Sequence, residues 1–109
     1  MIKATFMGSR DNYLGFYVTG HAGYANSGKD IVCSGVSALA ISTANALSKR
    51  LGNQVRCGQT QGFLFVKLSN QLNEEEKKIS QIILDSCYEG MVSVENEYGN
   101  YLKVVLQEG

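Results

Sequence analysis

Two hydrophobic periods share this chain. Residues 2–7 alternate, with Ile2, Ala4 and Phe6 on one side, and residues 13–20 alternate again, with Leu14, Phe16 and Val18 together. A period of two belongs to a half-buried strand. Gly8-Ser9-Arg10-Asp11-Asn12 between the two runs is turn chemistry, so they read as a hairpin. Residues 20–29, carrying Gly20, Gly23 and Gly28, read as a loop. From Asp30 the period lengthens, and Val32, Val36, Leu39, Ala40, Thr43 and Leu47 recur at helical spacing. The small residues around that stripe predict close packing against a sheet, and Gly52 is the expected stop. Residues 53–58 and 62–69 read as two more strands, with a turn from Gly58 to Gly62. A second helix begins near Asn73. Its acidic first turn, Glu74-Glu75-Glu76, suits the positive end of the helix dipole, and Ile79, Ile82, Ile83, Cys87 and Met91 form its expected buried stripe. Residues 100–107 alternate a last time, with Leu102, Val104 and Leu106 opposed to Tyr101, Lys103 and Val105. The order ββαββαβ predicts an α+β, two-layer fold of two helices packed on a mainly antiparallel sheet.

Composition narrows the classes without naming a chemistry. A chain of 109 residues, 44% apolar and 18% charged, fits one soluble domain over 1–109 with a single modest core. Ten Lys and Arg balance ten Asp and Glu. That balance argues against direct nucleic-acid binding, which usually needs a basic excess, and against a strong steering field. No apolar run approaches the roughly 18 residues of a membrane span. The N-terminus, Met1 to Phe6, lacks the apolar core of a signal peptide, so a cytoplasmic protein is expected. Cys33, Cys57 and Cys87 are odd in number and lack metal-like spacing, which suits free thiols in a reducing compartment. With one histidine and scattered cysteines, no metal ligand set is recognisable and no cofactor is expected.

The densest chemistry lies between Gly20 and Gly35, which hold the lone histidine, His21, a glycine-bearing loop, Asp30 and Cys33. Histidine moves protons near neutral pH. A cysteine is a strong nucleophile as the thiolate, which a neighbouring base or a helix N-terminus favours. Asp30 reads as the helix N-cap, which would set Cys33 in the first turn, among free amides. The dipole there is worth only about 0.3–1 kcal/mol, so a thiolate needs His21 as well. The corresponding mechanism has His21 take the Cys33 proton and the thiolate attack a peptide carbonyl. Amides at the helix start, those of Cys33 or Ser34, would hold the oxyanion, and His21 would protonate the leaving amine. Asp30 either caps the helix or orients His21. Ser37, one turn beyond Cys33, either supports the site or bonds back to its own helix. The bland readings stand beside these. Cys33 as a small buried hydrophobe, His21 as a strand-end residue bonded to a carbonyl, and glycines that only make turns would produce the same residues. Cys57, in a strand pattern, and Cys87, in a helix stripe, read as buried structural residues.

Gly20-His21-Ala22-Gly23, followed by Gly28-x-Asp30-Ile31-Val32-Cys33-Ser34-Gly35-Val36-Ser37-Ala38-Leu39, resembles the signature of the ribosomal-processing cysteine proteases. The match is dense within residues 20–39, and the length and element order extend it loosely over the chain. The resemblance implies a catalytic dyad at His21 and Cys33, with Asp30 and Ser37 at the family's accompanying positions. It also implies removal of a short N-terminal extension from large-subunit ribosomal protein twenty-seven, cleavage after a Phe-containing apolar segment, and a homodimer. Tyr24 is then either a wall for the substrate's aromatic side chain or an ordinary exposed loop tyrosine. Loop 22–29 is a candidate lid hinged at Gly23 and Gly28.

Two other classes fit the same residues. A non-enzymatic, ribosome-associated protein docking through its sheet edge would keep full function in Cys33→Ala. A thiol redox sensor would use Cys33 with Cys57 or Cys87 as the resolving thiol.

Overall fold

The computed structural model describes residues 1–20 and 27–108. Strands β1 (Ile2–Ser9) and β2 (Asn12–Thr19) lead to helix α1 (Ser27–Leu51) and a short 3-10 turn at Gly52–Gln54. Strands β3 (Val55–Thr60) and β4 (Phe63–Leu68), helix α2 (Glu74–Tyr98) and strand β5 (Leu102–Gln107) follow. The expected order ββαββαβ and the α+β class are found. The five-stranded sheet runs β3-β4-β2-β1-β5, with every pairing antiparallel except that of β1 with β5. Both helices pack on one face.

The core forms where the two periods meet. Ile2, Ala4 and Phe6 point from β1 toward the helices, and Val32, Val36, Ala40, Thr43 and Leu47 answer from α1, all buried as their spacing predicts. Leu39, half-buried, packs against Gly90 of α2, where an added Cβ would lie 3.0 Å from the Leu39 side chain; the glycine lets the helices approach. By length and composition α1 could cross a membrane, contrary to the sequence expectation, since an 18-residue window within Ile31–Gln54 has a mean hydropathy of 1.5. Here its apolar stripe is used inside the fold, against the sheet and α2.

Two expected faces differ. On β2, Tyr13 is buried and Leu14 is 49% exposed, the reverse of the simple alternation. The register shifts between Met7 and Gly8, so that Met7 faces Gly15 but Gly8 faces Tyr13. This β-bulge leaves Leu14 as the extra residue and turns Tyr13 inward. Its backbone is then met from α2: Tyr13 N donates to Gln81 Oε1 at 2.6 Å, and Gln81 Nε2 donates to Tyr13 O at 2.9 Å. On α2 the buried positions are Ser80, Leu84, Cys87 and Met91, while Ile82 is 68% exposed. Ile82 is two residues from Ser80 and Leu84, hence on the far side of a helix that advances about 100° per residue.

The ends of α2 are fixed by polar contacts. Asn73 Oδ1 accepts from Glu76 N at 2.8 Å, and Glu76 Oε1 accepts from Asn73 N at 3.0 Å, a reciprocal capping box. Near the other end, Glu95 Oε2 accepts the Val104 N–H of edge strand β5 at 2.8 Å, closing a donor that could otherwise template another strand.

The observed α2 stripe makes a stability prediction. Leu84→Ala should cost about 2–5 kcal/mol in urea unfolding, and Ile82→Ala should stay within about 0.5 kcal/mol of wild type. Equal costs would mean that α2 is rotated from the orientation described.

Candidate functional site

Cys33 is on α1 between Val32 and Val36, which are 1% and 3% exposed. Cys33 itself is half-buried and packs against the core. Its helix is therefore pinned to the sheet while the thiol lies at the margin of the buried stripe. Ser34 and Ser37 are exposed on the same helix, and Ser37 stands one turn beyond Cys33.

α1 begins one turn earlier than the sequence suggests. Ser27, Gly28, Lys29 and Asp30 are helical, so residues 27–29 are not loop and Asp30 is not the N-cap. Cys33 and Ser34 then lie past the first turn, and their amides are taken up by carbonyls four residues back. The expectation that these two amides bind an oxyanion does not suit this helix. The amides without helical partners belong to the turn that starts at Ser27. As a result Gly28, expected as a loop hinge, stands in the helix's first turn.

His21, Gly23 and Tyr24 lie outside the described residues, as does 22–26 of the expected lid. Gly20, the last described residue before His21, has φ 85° and donates its N–H to Gly62 O at 3.0 Å. A Cβ there would stand 2.5 Å from Met1 O, so only glycine fits this exit from the sheet. Gly20 thus fixes where the chain leaves β2 immediately before His21.

The three thiols have different surroundings. Cys87 is buried, as expected, and desolvation pushes its thiol up to about 11. Cys57 is exposed, contrary to expectation, because β3 is an edge strand. It faces Ser48, with Sγ and Oγ 3.7 Å apart, rather than the core.

Sequence reading missed a cluster at the far end of the sheet. Arg10 Nε is 3.2 Å from Asp85 Oδ1, the guanidinium also reaches Glu89 and lies 4.9 Å above the Tyr88 ring, and Tyr13 Oη donates to Asp85 at 2.6 Å. Burial, then the Asp85 contact, holds the Tyr13 phenol well above the usual range, so it is a neutral donor. The partners are distant in sequence and no motif marks them. The cluster fastens the β1–β2 turn to α2. A cavity of about 710 Å³ opens beside it, lined in part by Met7, Leu14, Tyr17, Lys67 and Leu72, with no described residue of α1 in its lining.

Fold and site together define an α+β protein with a semi-accessible cysteine seated on its core helix, just after a glycine-bounded histidine segment. The profile of the family described as Cysteine protease Prp matches residues 1–103, and the chain belongs to that family. The ribosomal processing cysteine protease Prp of Bacillus subtilis is 30% identical over 107 residues, covering 95% of this chain and 96% of its own. Among solved structures, SMU.848 of Streptococcus mutans superposes with a TM-score of 0.85 at 26% identity, covering 100% of this chain and 96% of that one. The essential ribosomal processing protease Prp of S. aureus, crystallised with a covalently linked product peptide and with a substrate peptide, has the same fold. Its TM-score is 0.79 at 22% identity, with 98% of this chain and 100% of that one covered. The chain is a cysteine protease, a hydrolase acting on peptide bonds.

The thiol environments predict a pH response. The folded Cys87 pKa is raised above its unfolded value near 9.0, so the neutral thiol favours the fold. This contribution is complete below pH 9 and is lost as pH rises from 9 through about 11. It should amount to roughly 2–3 kcal/mol and be absent from the pH dependence of Cys87→Ala unfolding, whatever that variant's baseline stability. Parallel curves for the two proteins would contradict it.

Proposed function

We propose that residues 1–109 form one cysteine endopeptidase domain. It removes the N-terminal extension of a large-subunit ribosomal protein, number twenty-seven, in the cytoplasm. The observation that carries this reading is a half-buried thiol on a core-anchored helix, Cys33, within a chain matched over 95% of its length to a ribosomal-processing relative. Cys33 is the nucleophile and His21 the general base and then acid. His21 takes the thiol proton, and the thiolate sulfur bonds to the scissile carbonyl carbon. Collapse of the tetrahedral intermediate expels the amine, which takes the proton back from His21. Water then hydrolyses the thioester. Oxyanion donors come from the free amides of the α1 first turn. Asp30 and Ser37 support the dyad, and Gly20, Gly23, Tyr24 and Gly28 border the substrate segment, with Tyr24 against an aromatic side chain. The protein acts as a homodimer. Ile31, Ile41 and Ile82, exposed apolar side chains on the helices, support a contact between copies on the helix layer.

The test is incubation with a peptide copying the ribosomal protein's extension, read by mass spectrometry. Wild type should make a single cut. Cys33→Ala and His21→Ala should each lose at least about a thousand-fold in kcat/KM while keeping the wild-type fold. In iodoacetamide trapping, Cys33 should alkylate more slowly once His21 is replaced by alanine. No cut by folded wild type would overturn the reading.

A further inference from the structure

The neutral sum of charges conceals a separation that the fold makes. None of the five strands contains Asp or Glu, yet they hold Lys3, Arg56, Lys67 and Lys103. The carboxylates gather instead on α2, which carries Glu74, Glu75, Glu76, Asp85, Glu89, Glu95 and Glu97 against Lys77 and Lys78. In register, all four strand cations alternate with core positions such as Ala4 and Val66, so they point from the helix-free face. All four are exposed, and among the described residues none is in a salt bridge. Lys3 is the direct neighbour of Lys103 across β1–β5, and Arg56 that of Lys67 across β3–β4. Like charges directly opposite each other destabilise a sheet. This face holds two such pairs and no strand carboxylate to offset them.

Between the pairs stand aromatic rings. Tyr17, Phe63 and Phe65 share the face; the Tyr17–Phe63 and Phe63–Phe65 centroids are 6.3 and 6.1 Å apart, and Phe63 is 40% exposed. Phe65 lies over Gly58, where a Cβ would come within 2.3 Å of the ring. An open sheet with one exposed and two half-buried rings flanked by cations resembles the stacking platforms that take single-stranded nucleic acid, where bases pack on rings and phosphates meet Lys and Arg. Charge also decides between occupants. A second copy seated on this face by a two-fold axis would press its basic pairs against a surface of the same sign.

We propose that the helix-free sheet face binds single-stranded RNA, with bases on Tyr17, Phe63 and Phe65 and phosphates at the Lys3–Lys103 and Arg56–Lys67 pairs. The choice of RNA rests on the ribosomal-processing reading. The test does not depend on cleavage, so either idea can fail alone.

Fluorescence anisotropy with a labelled oligouridylate would decide it. Wild type should bind at low salt, with a log–log salt slope near about −3 for four phosphate contacts. Arg56→Glu combined with Lys103→Glu should weaken binding at least about ten-fold and flatten that slope. Phe63→Ala should weaken it about ten-fold with the slope kept. Circular dichroism and melting should show all variants folded, and peptide cleavage should match wild type. Three results would overturn the proposal. One is no binding at low salt. Another is binding that the variants leave unchanged, or that heparin matches with no effect of Phe63→Ala. The last is a dimer in sedimentation that the charge reversals dissociate without any RNA binding, which would make the face an interface between copies.

Discussion

Phe6 is the point on which this structure turns. It projects from a central strand, is fully buried, and meets three rings: Phe16 at 5.1 Å, Tyr88 at 5.2 Å and Tyr13 at 6.0 Å. Those contacts join β1, β2 and α2. Burying one such side chain is worth about 1.5–3 kcal/mol, and edge-to-face ring pairs add to that. The cluster needs Tyr13 inside, and only the bulge at Met7–Gly8 puts it there. The bulge disturbs the ladder at Tyr13, and Gln81 satisfies that backbone from α2. One aromatic contact set thus fixes the bulge, the seat of α2 and the turn that Arg10 clamps.

Because both helices are drawn to the Phe6 side, the two faces of the sheet have different fates. The covered face gives α1 a rigid bed. Val32 and Val36 hold the N-terminal part of α1 against it, and this keeps Cys33 at a constant place with its thiol at the margin of the core. The nucleophile proposed at Cys33 would gain from such anchoring, since misplacement by about 1 Å can cost a hundred-fold in rate. The other face keeps its strand cations and rings in the open.

Much of this architecture is legible in the order of residues. The period of two and the period of 3.6 locate every strand and helix within a few residues, and Asn73 marks the start of α2 because a side-chain cap is a local device. The stripe on α1 is legible because it is long and regular. That on α2 is less so, since its isoleucines are a poor guide to burial and the true seam runs through Ser80 and Leu84. Leu14 misleads for another reason: a bulge is set by pairing between strands, not by the pattern within one. At the site, residue type and order single out His21 and Cys33 as the candidate proton carrier and the candidate nucleophile. The helix start at Ser27 moves the free amides away from Cys33; the sequence offers Asn26 and Ser27 as cap-type residues as well as Asp30, and the local pattern does not choose among them.

What the sequence determined by itself is therefore what acts locally: periodicity, caps, turn glycines and the reactive residue types around Cys33. The tertiary structure decided what depends on distant partners. It put Arg10 beside Asp85 and Glu89, left Cys57 on an open edge, and separated a neutral chain into an acidic helix and a basic sheet face. The physical reason is the same in each case. Burial and Coulomb energy depend on distances in space, and a chain's order reports those only between near neighbours.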